Sequence, residues 1–98
     1  MKYKSNKLKR LEKERFSVFT TNMKKCYFCN NTSIENHELL PGKNRQNSMR
    51  YGYVLPVCRI HHNEIQYSES WKKKSQEHFE KTHTREEWLE IFHRNYLD

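Results

Sequence analysis

Two short half-sites limit this chain more tightly than any other feature. Cys26-Tyr27-Phe28-Cys29 and Cys58-Arg59-Ile60-His61 each set two candidate metal-binding side chains with two residues between them, a spacing at which one tight turn presents both to a single ion. Together they supply three thiolates and one imidazole, the soft and borderline ligands that tetrahedral Zn2+ prefers, and they use all three cysteines of the chain. Spacing favours His61 over His62 as the fourth ligand, which leaves His62 for other work. The competing reading makes the thiols plain buried apolar groups and the histidines surface residues. Two matched half-sites weigh against it.

Length and composition also require such a staple. At 98 residues and 34% hydrophobic content, a single domain buries little apolar surface, and domains of this size lean on a metal, a disulfide or a partner subunit. Three cysteines cannot all pair within one chain, no apolar leader follows Met1, and no run approaches membrane-spanning length. The expectation is a cytoplasmic chain without membrane association, its thiols free to bind metal.

The formal charge of +7 is concentrated at one end. Residues 1–15 form a basic arm in which Lys2, Lys4, Lys7, Lys9, Arg10, Lys13 and Arg15 outnumber Glu12 and Glu14. From Glu69 onward the charges nearly cancel. A basic arm on a near-neutral body suits phosphate-backbone contact, although charge alone suits a solvated tail equally well.

Residues 16–98 are read as the folded domain. A short charged helix is expected over residues 4–15, ordered only when docked on the body or on DNA. Phe16 to Thr21 is β-branched and aromatic and predicts a strand. Further strands are expected at Ile34–Leu40 and Tyr51–Val57, broken apart by Pro41-Gly42, with Lys43–Arg50 a loop or one helical turn. A helix is expected from His62 to Glu80, interrupted near Ser68-Glu69-Ser70. Thr84-Arg85-Glu86-Glu87 has capping-box spacing and opens a last helix whose Trp88, Phe92 and Tyr96 form a core stripe. Lys72-Lys73-Lys74 reads as a solvated helix face.

Between the half-sites lies Asn36-His37-Glu38. Phosphodiester hydrolysis at neutral pH needs a base to activate water and a cation to stabilise the leaving oxygen. Histidine suits the first task because its pKa lies near about 6.5. On this reading His37 takes the proton, while Asn36 or Glu38 joins His62 around Mg2+ or another divalent ion. Lys43, Arg45 and Arg50 would hold phosphates beside them, with Asn44 as a further DNA-binding candidate. A lone His-Glu pair on a strand is more often an ordinary surface or hydrogen-bonded pair.

The order Cys-x2-Cys, a strand with histidine, Cys-x2-His-His and a helix resembles the HNH endonuclease superfamily. Several stretches are similar to a family of small phage-type HNH proteins, among them Arg15–Thr20, His37–Leu40, Gly42–Ser48, Tyr51-Gly52, Cys58–His62 and Glu90–Leu97. The resemblance covers roughly residues 15–98. It implies an α+β, zinc-stabilised ββα-metal domain, treble-clef-like, with C-terminal helices, one catalytic divalent cation and a structural zinc. It also implies DNA cleavage, with His37 as general base, His62 as a metal ligand, and DNA plus a phage or host protein as partners.

Two departures stand out. Asn36-His37-Glu38 replaces the usual His-His or Asp-His doublet, so that either Asn36 takes a ligand position or Glu38 takes that of the base. Gln66 stands where the family's helix often carries a second histidine. The family's central asparagine matches Asn44 or Asn47. These departures keep two other readings open. One is an HNH-fold DNA-binding module without hydrolysis, and the other a zinc-stabilised protein-interaction domain.

Overall fold

Residues 6–66 and 68–97 are described by a computed structural model; Lys2 and Lys4 of the basic arm lie outside them. The chain begins with α1 (Asn6–Lys13) and reaches its first strand, β1 (Glu35–Glu38), only after a long irregular stretch. A 3-10 turn at Gly42–Asn44 leads into α2 (Arg45–Arg50), then β2 (Val54–Val57), α3 (Arg59–Ile65), α4 (Glu69–Phe79) and α5 (Arg85–Phe92). Among the described residues the result is a small α+β fold of one two-stranded sheet and five helices. No helix among them is long and apolar enough to cross a membrane.

The sheet is antiparallel, with Glu35 opposite Val57 and His37 opposite Leu55. All four residues of the apolar strand β2 are buried, so it runs through the core while β1 carries polar groups at its margin. Pro56 has no N–H to donate, but its carbonyl accepts from Tyr27 N at 2.7 Å, and this bond fixes the Cys26–Cys29 knuckle to β2. Aromatic rings close the other side. Trp88, Phe79, Phe92 and Tyr53 are almost fully buried, with Trp88 and Phe92 centroids 4.2 Å apart.

Several expectations need correction. Phe16–Thr21 is not a strand. Its ladder with the body is one bond, Val18 N to Gly52 O, while Ser17 Oγ accepts from Phe19 N and Thr20 Oγ1 from Asn22 N. These side-chain oxygens bend the backbone into successive tight turns, which compete with strand pairing. The segment is held instead by its rings: Phe16 lies against Gly52, where φ is +78° and an added Cβ would fall 2.5 Å from the Phe16 ring. The two remaining strands are shorter than expected, because Tyr51-Gly52 turns the chain out of α2 and Leu39-Leu40 enters the core. The span from His62 to Glu80 is two helices, the first starting at Arg59. Ser68 separates them by capping α4, its Oγ accepting from Ser70 N at 3.2 Å.

The last helix does start with a capping box at Thr84 and Glu87. It ends at Phe92, however, with His93 in the left-handed region at φ 68°, so Tyr96 lies beyond the helix rather than on its stripe. Tyr96 still packs near Trp88, in a tail tied to α4 by buried Gln76. The Gln76 carboxamide donates to Asn95 Oδ1 at 2.9 Å and accepts from Tyr96 N at 2.7 Å.

Candidate metal centre and adjoining cleft

Strand β2 delivers Cys58 to the point where α3 begins, and the helix carries His61 and His62 in its first turn. Neighbouring residues on a helix point about 100° apart. His61 therefore faces the knuckle and His62 faces β1. One helical turn serves two sites.

At the first site, His61 Nδ1 lies 3.1 Å from Cys58 Sγ and 3.4 Å from Cys26 Sγ, and Cys29 Sγ lies 3.9 Å from Cys58 Sγ. All four ligand atoms fall within 4.8 Å of one another. A tetrahedral ion with zinc-like bonds would set sulfurs about 3.8 Å apart and sulfur and nitrogen about 3.6 Å apart. The Cys29–Cys58 edge is near that length and the two edges at His61 are shorter, so Cys26, Cys29, Cys58 and His61 lie close enough to hold a metal ion. Among the described residues they form the one group of three or more such side chains at that spacing. Burial opposes ionisation of Cys26, but backbone N–H groups of Cys58, Phe28 and Cys29 aim at its sulfur and lower its pKa to about 6. The knuckle rings cover the site: Phe28 lies 5.2 Å from the His61 ring, and Tyr27 and Phe28 both meet Trp71 edge-on.

The second site is a cleft of about 460 Å³ that includes His37, Glu38, Arg45, His62, Gln66 and Lys72 along its wall. The His37 and His62 rings stand 4.8 Å apart between centroids. His37 is only 8% exposed, and burial, reinforced by the nearby His62 and Lys72, pushes its pKa down to about 4 despite the opposing charge of Glu38. It is neutral, and able to accept a proton, at pH 7. His62 is oriented from behind by Glu35, whose Oε1 lies 2.7 Å from His62 Nδ1, while Arg59 holds the other oxygen of Glu35 at 2.6 Å. The bond to His62, aided by Arg59, keeps the Glu35 carboxyl below its usual pKa. This fixes Nδ1 toward the carboxylate and leaves Nε2 as the outward nitrogen.

The residues expected at the inner site do not all converge. His37, Glu38, His62 and Gln66 line one cleft, but Asn36 is not in its wall. Successive strand side chains alternate faces, so Asn36 and His37 diverge. Among the described residues, the buried Asn36 carboxamide oxygen has no hydrogen-bond partner. Glu38 is committed elsewhere: its Oε1 accepts from Arg15 at 2.9 Å and from Arg45 Nε at 3.0 Å. Arg45 also pairs with Glu12, whose hydrogen bond raises the guanidinium pKa further, so Glu12, Arg15, Glu38 and Arg45 form one ionic network that docks α1 on the body. Asn44 and Asn47 are tied to the end of α5, donating to Phe92 O at 3.0 Å and Ile91 O at 3.5 Å.

The donor set of the inner cleft does not make a complete protein site for Mg2+, which favours oxygen ligands. It has two imidazoles, an amide and two carboxylates, of which Glu38 is already held by two arginines and Glu69 lies 3.9 Å from Arg94.

Glu35 and Glu12 are the functional residues that sequence reasoning misses. Glu35 is within its reach, because it sits two residues before His37 and therefore on the same strand face. For Glu12 nothing in the local pattern distinguishes it from its neighbour Glu14.

Comparison of the chain with family models, with curated proteins and with solved structures gives no match.

Proposed function

We propose that the chain is a zinc-stabilised DNA-binding domain of HNH type whose inner cleft hydrolyses phosphodiester bonds with His37 as the general base. The observation that carries this reading is the pairing of a neutral, buried His37 with a His62 that Glu35 holds in one orientation. Zinc at Cys26, Cys29, Cys58 and His61 would supply a structural cross-link, fixing the α3 turn from which His62 projects.

In the proposed reaction His37 accepts a proton from a water molecule directed at phosphorus; as the new P–O bond forms, the P–O bond to the leaving sugar oxygen breaks, and that oxygen takes a proton from solvent water. Its low pKa describes the free protein, where burial and positive neighbours disfavour the imidazolium. A phosphodiester seated by Lys72 and Arg45 brings negative charge into the cleft, which raises the proton affinity of His37 during attack. Glu35 and Arg59 do not touch the substrate on this reading. They hold the His62 ring against rotation.

The test is nicking of supercoiled plasmid by purified protein with Mg2+, Mn2+ or Ni2+ added, beside a His37→Ala variant. Nicking by the parent that falls about 10²- to 10⁴-fold in the variant is the expected result for loss of a general base. Equal background in both overturns hydrolysis.

A second reading, a DNA-binding module without hydrolysis, is favoured by one specific observation. Asn36 is absent from the cleft wall, Glu38 is bound by two arginines and Glu69 lies 3.9 Å from Arg94, so neither carboxylate of the cleft is without a cationic neighbour of its own. A mobility shift with DNA and no nicking under any of the three metals would select it.

A further inference from the structure

A second polar cleft, of about 590 Å³, lies between α1 and α2. Lys7 of α1 faces it from one side, and Lys43, Arg45, Gln46, Asn47 and Arg50 from the other. Among the described residues, no acidic side chain is in its wall. Arg45 is paired with Glu12 and Glu38, but among the described residues Lys7, Lys43 and Arg50 have no ion-pair partner. Three uncompensated cations around one concavity repel each other, and an anion entering it would relieve that repulsion. Gly42 opens the floor further: at φ +70°, its missing side chain would have pointed into empty space.

The same Arg45 also lines the His37–His62 cleft, so the two clefts meet at one side chain. A linear polyanion could then run from one to the other. A single small anion would fill only one of them. The arm matters here because α1 supplies a wall of the cleft, and the Glu12–Arg45 and Arg15–Glu38 pairs fix its position without consuming Lys7.

We propose that the α1–α2 cleft seats backbone phosphates of the same DNA strand whose neighbouring phosphate enters the His37–His62 cleft, with Lys7, Lys43 and Arg50 as the contacting cations. The proposal rests on the DNA-binding part of the reading above and not on hydrolysis. It converts the N-terminal basic segment from a diffuse electrostatic tail into one side of a shaped phosphate seat.

Binding of a fluorescent DNA duplex, measured over a series of salt concentrations, tests this in the full chain. Removing one cation that neutralises a phosphate lowers the slope of log affinity against log salt by about 0.9 in magnitude. A Lys7→Gln, Arg50→Gln double variant is expected to reduce the slope by about 1.8, whereas Lys81→Gln, in a separate cleft beside Phe19 and His78, is expected to leave it unchanged. An unchanged slope in the double variant overturns the seat, and so does an equal reduction per charge at Lys81, which would mean that only net charge matters. His37→Ala separates this proposal from the hydrolytic one: it should remove nicking and leave the slope intact. Absent nicking in the parent together with the expected slope change would therefore discard the nuclease and keep the phosphate seat.

Discussion

The two sites that share the first turn of α3 are built on opposite principles. At the knuckle, four potential ligand atoms converge within 4.8 Å, and a bound ion would make such a gathering of three thiols and an imidazole favourable. In the neighbouring cleft, the groups are kept apart by protein partners: Glu38 by Arg15 and Arg45, His62 by Glu35, and Asn36 by the alternation of the strand. The first site would be incomplete without its ion, while the second has a formed shape without one. Convergence is what a bound ion would need, and restraint by protein partners holds the side chains of the second site one by one.

The strongest way to break this comparison is to remove one knuckle ligand. Cys58→Ser, or chelation of the parent protein, is expected to abolish cooperative folding, because metal binding in small sites of this kind is worth about 10 kcal/mol or more, comparable to the whole stability of a domain this size. Elemental analysis and circular dichroism check it. Metal near zero in the parent, with folding unchanged by chelator, would remove the distinction between the sites.

Glu35→Gln probes the restraint at the other site. Loss of the carboxylate that orients His62 is expected to reduce plasmid nicking about 10- to 100-fold, with zinc content and circular dichroism unaltered. A variant that nicks at the parent rate, or one that loses its zinc, would show that Glu35 does not act through His62 alone.

The acidity of His37 gives a smaller but sharper measure. An NMR titration should place its midpoint at about 4, against an ordinary 6.5. Between those values the unfolded chain holds the proton and the folded chain does not, so this residue makes stability fall as pH drops from 6.5 toward 4 and contributes no pH dependence above that range. A midpoint near 6.5 would mean that the cleft is open to water around His37.

The smallest effect is expected at the arm. Glu12→Gln weakens a partly exposed ion pair with Arg45, for which about 0.5–1 kcal/mol is typical. Faster amide exchange confined to α1 is the expected signature. If α3 exchanged faster too, the arm and the metal centre would be one cooperative unit.

The sequence is most informative where the determining contacts are local. Thr84 and Glu87 cap their helix three residues apart, and the structure has that box. Phe16–Thr21 misleads because β-branched and aromatic composition says nothing about whether a partner edge is available. In this fold, Ser17 and Thr20 turn the segment before a ladder can form. A period of four puts Tyr96 on the last helix, but His93 ends the helix first and tertiary bonds from Gln76 bring Tyr96 back to the same core.

The same division holds for function. Sequence alone picked out the four side chains that the structure gathers as a possible metal site, since Cys26 with Cys29 and Cys58 with His61 are each paired by one local turn. It also placed His37 and His62 among the candidate functional groups. Tertiary structure decided what surrounds them: that Glu35 rather than Glu38 addresses His62, that Arg15 and Arg45 neutralise Glu38, and that α1 closes a basic cleft with α2. Those outcomes depend on strand register and on side chains that meet from distant parts of the chain, such as Arg15 and Glu38, 23 positions apart, or Glu35 and His62, 27 positions apart. No local spacing encodes a contact of that kind, because the intervening chain must first fold to bring its ends together.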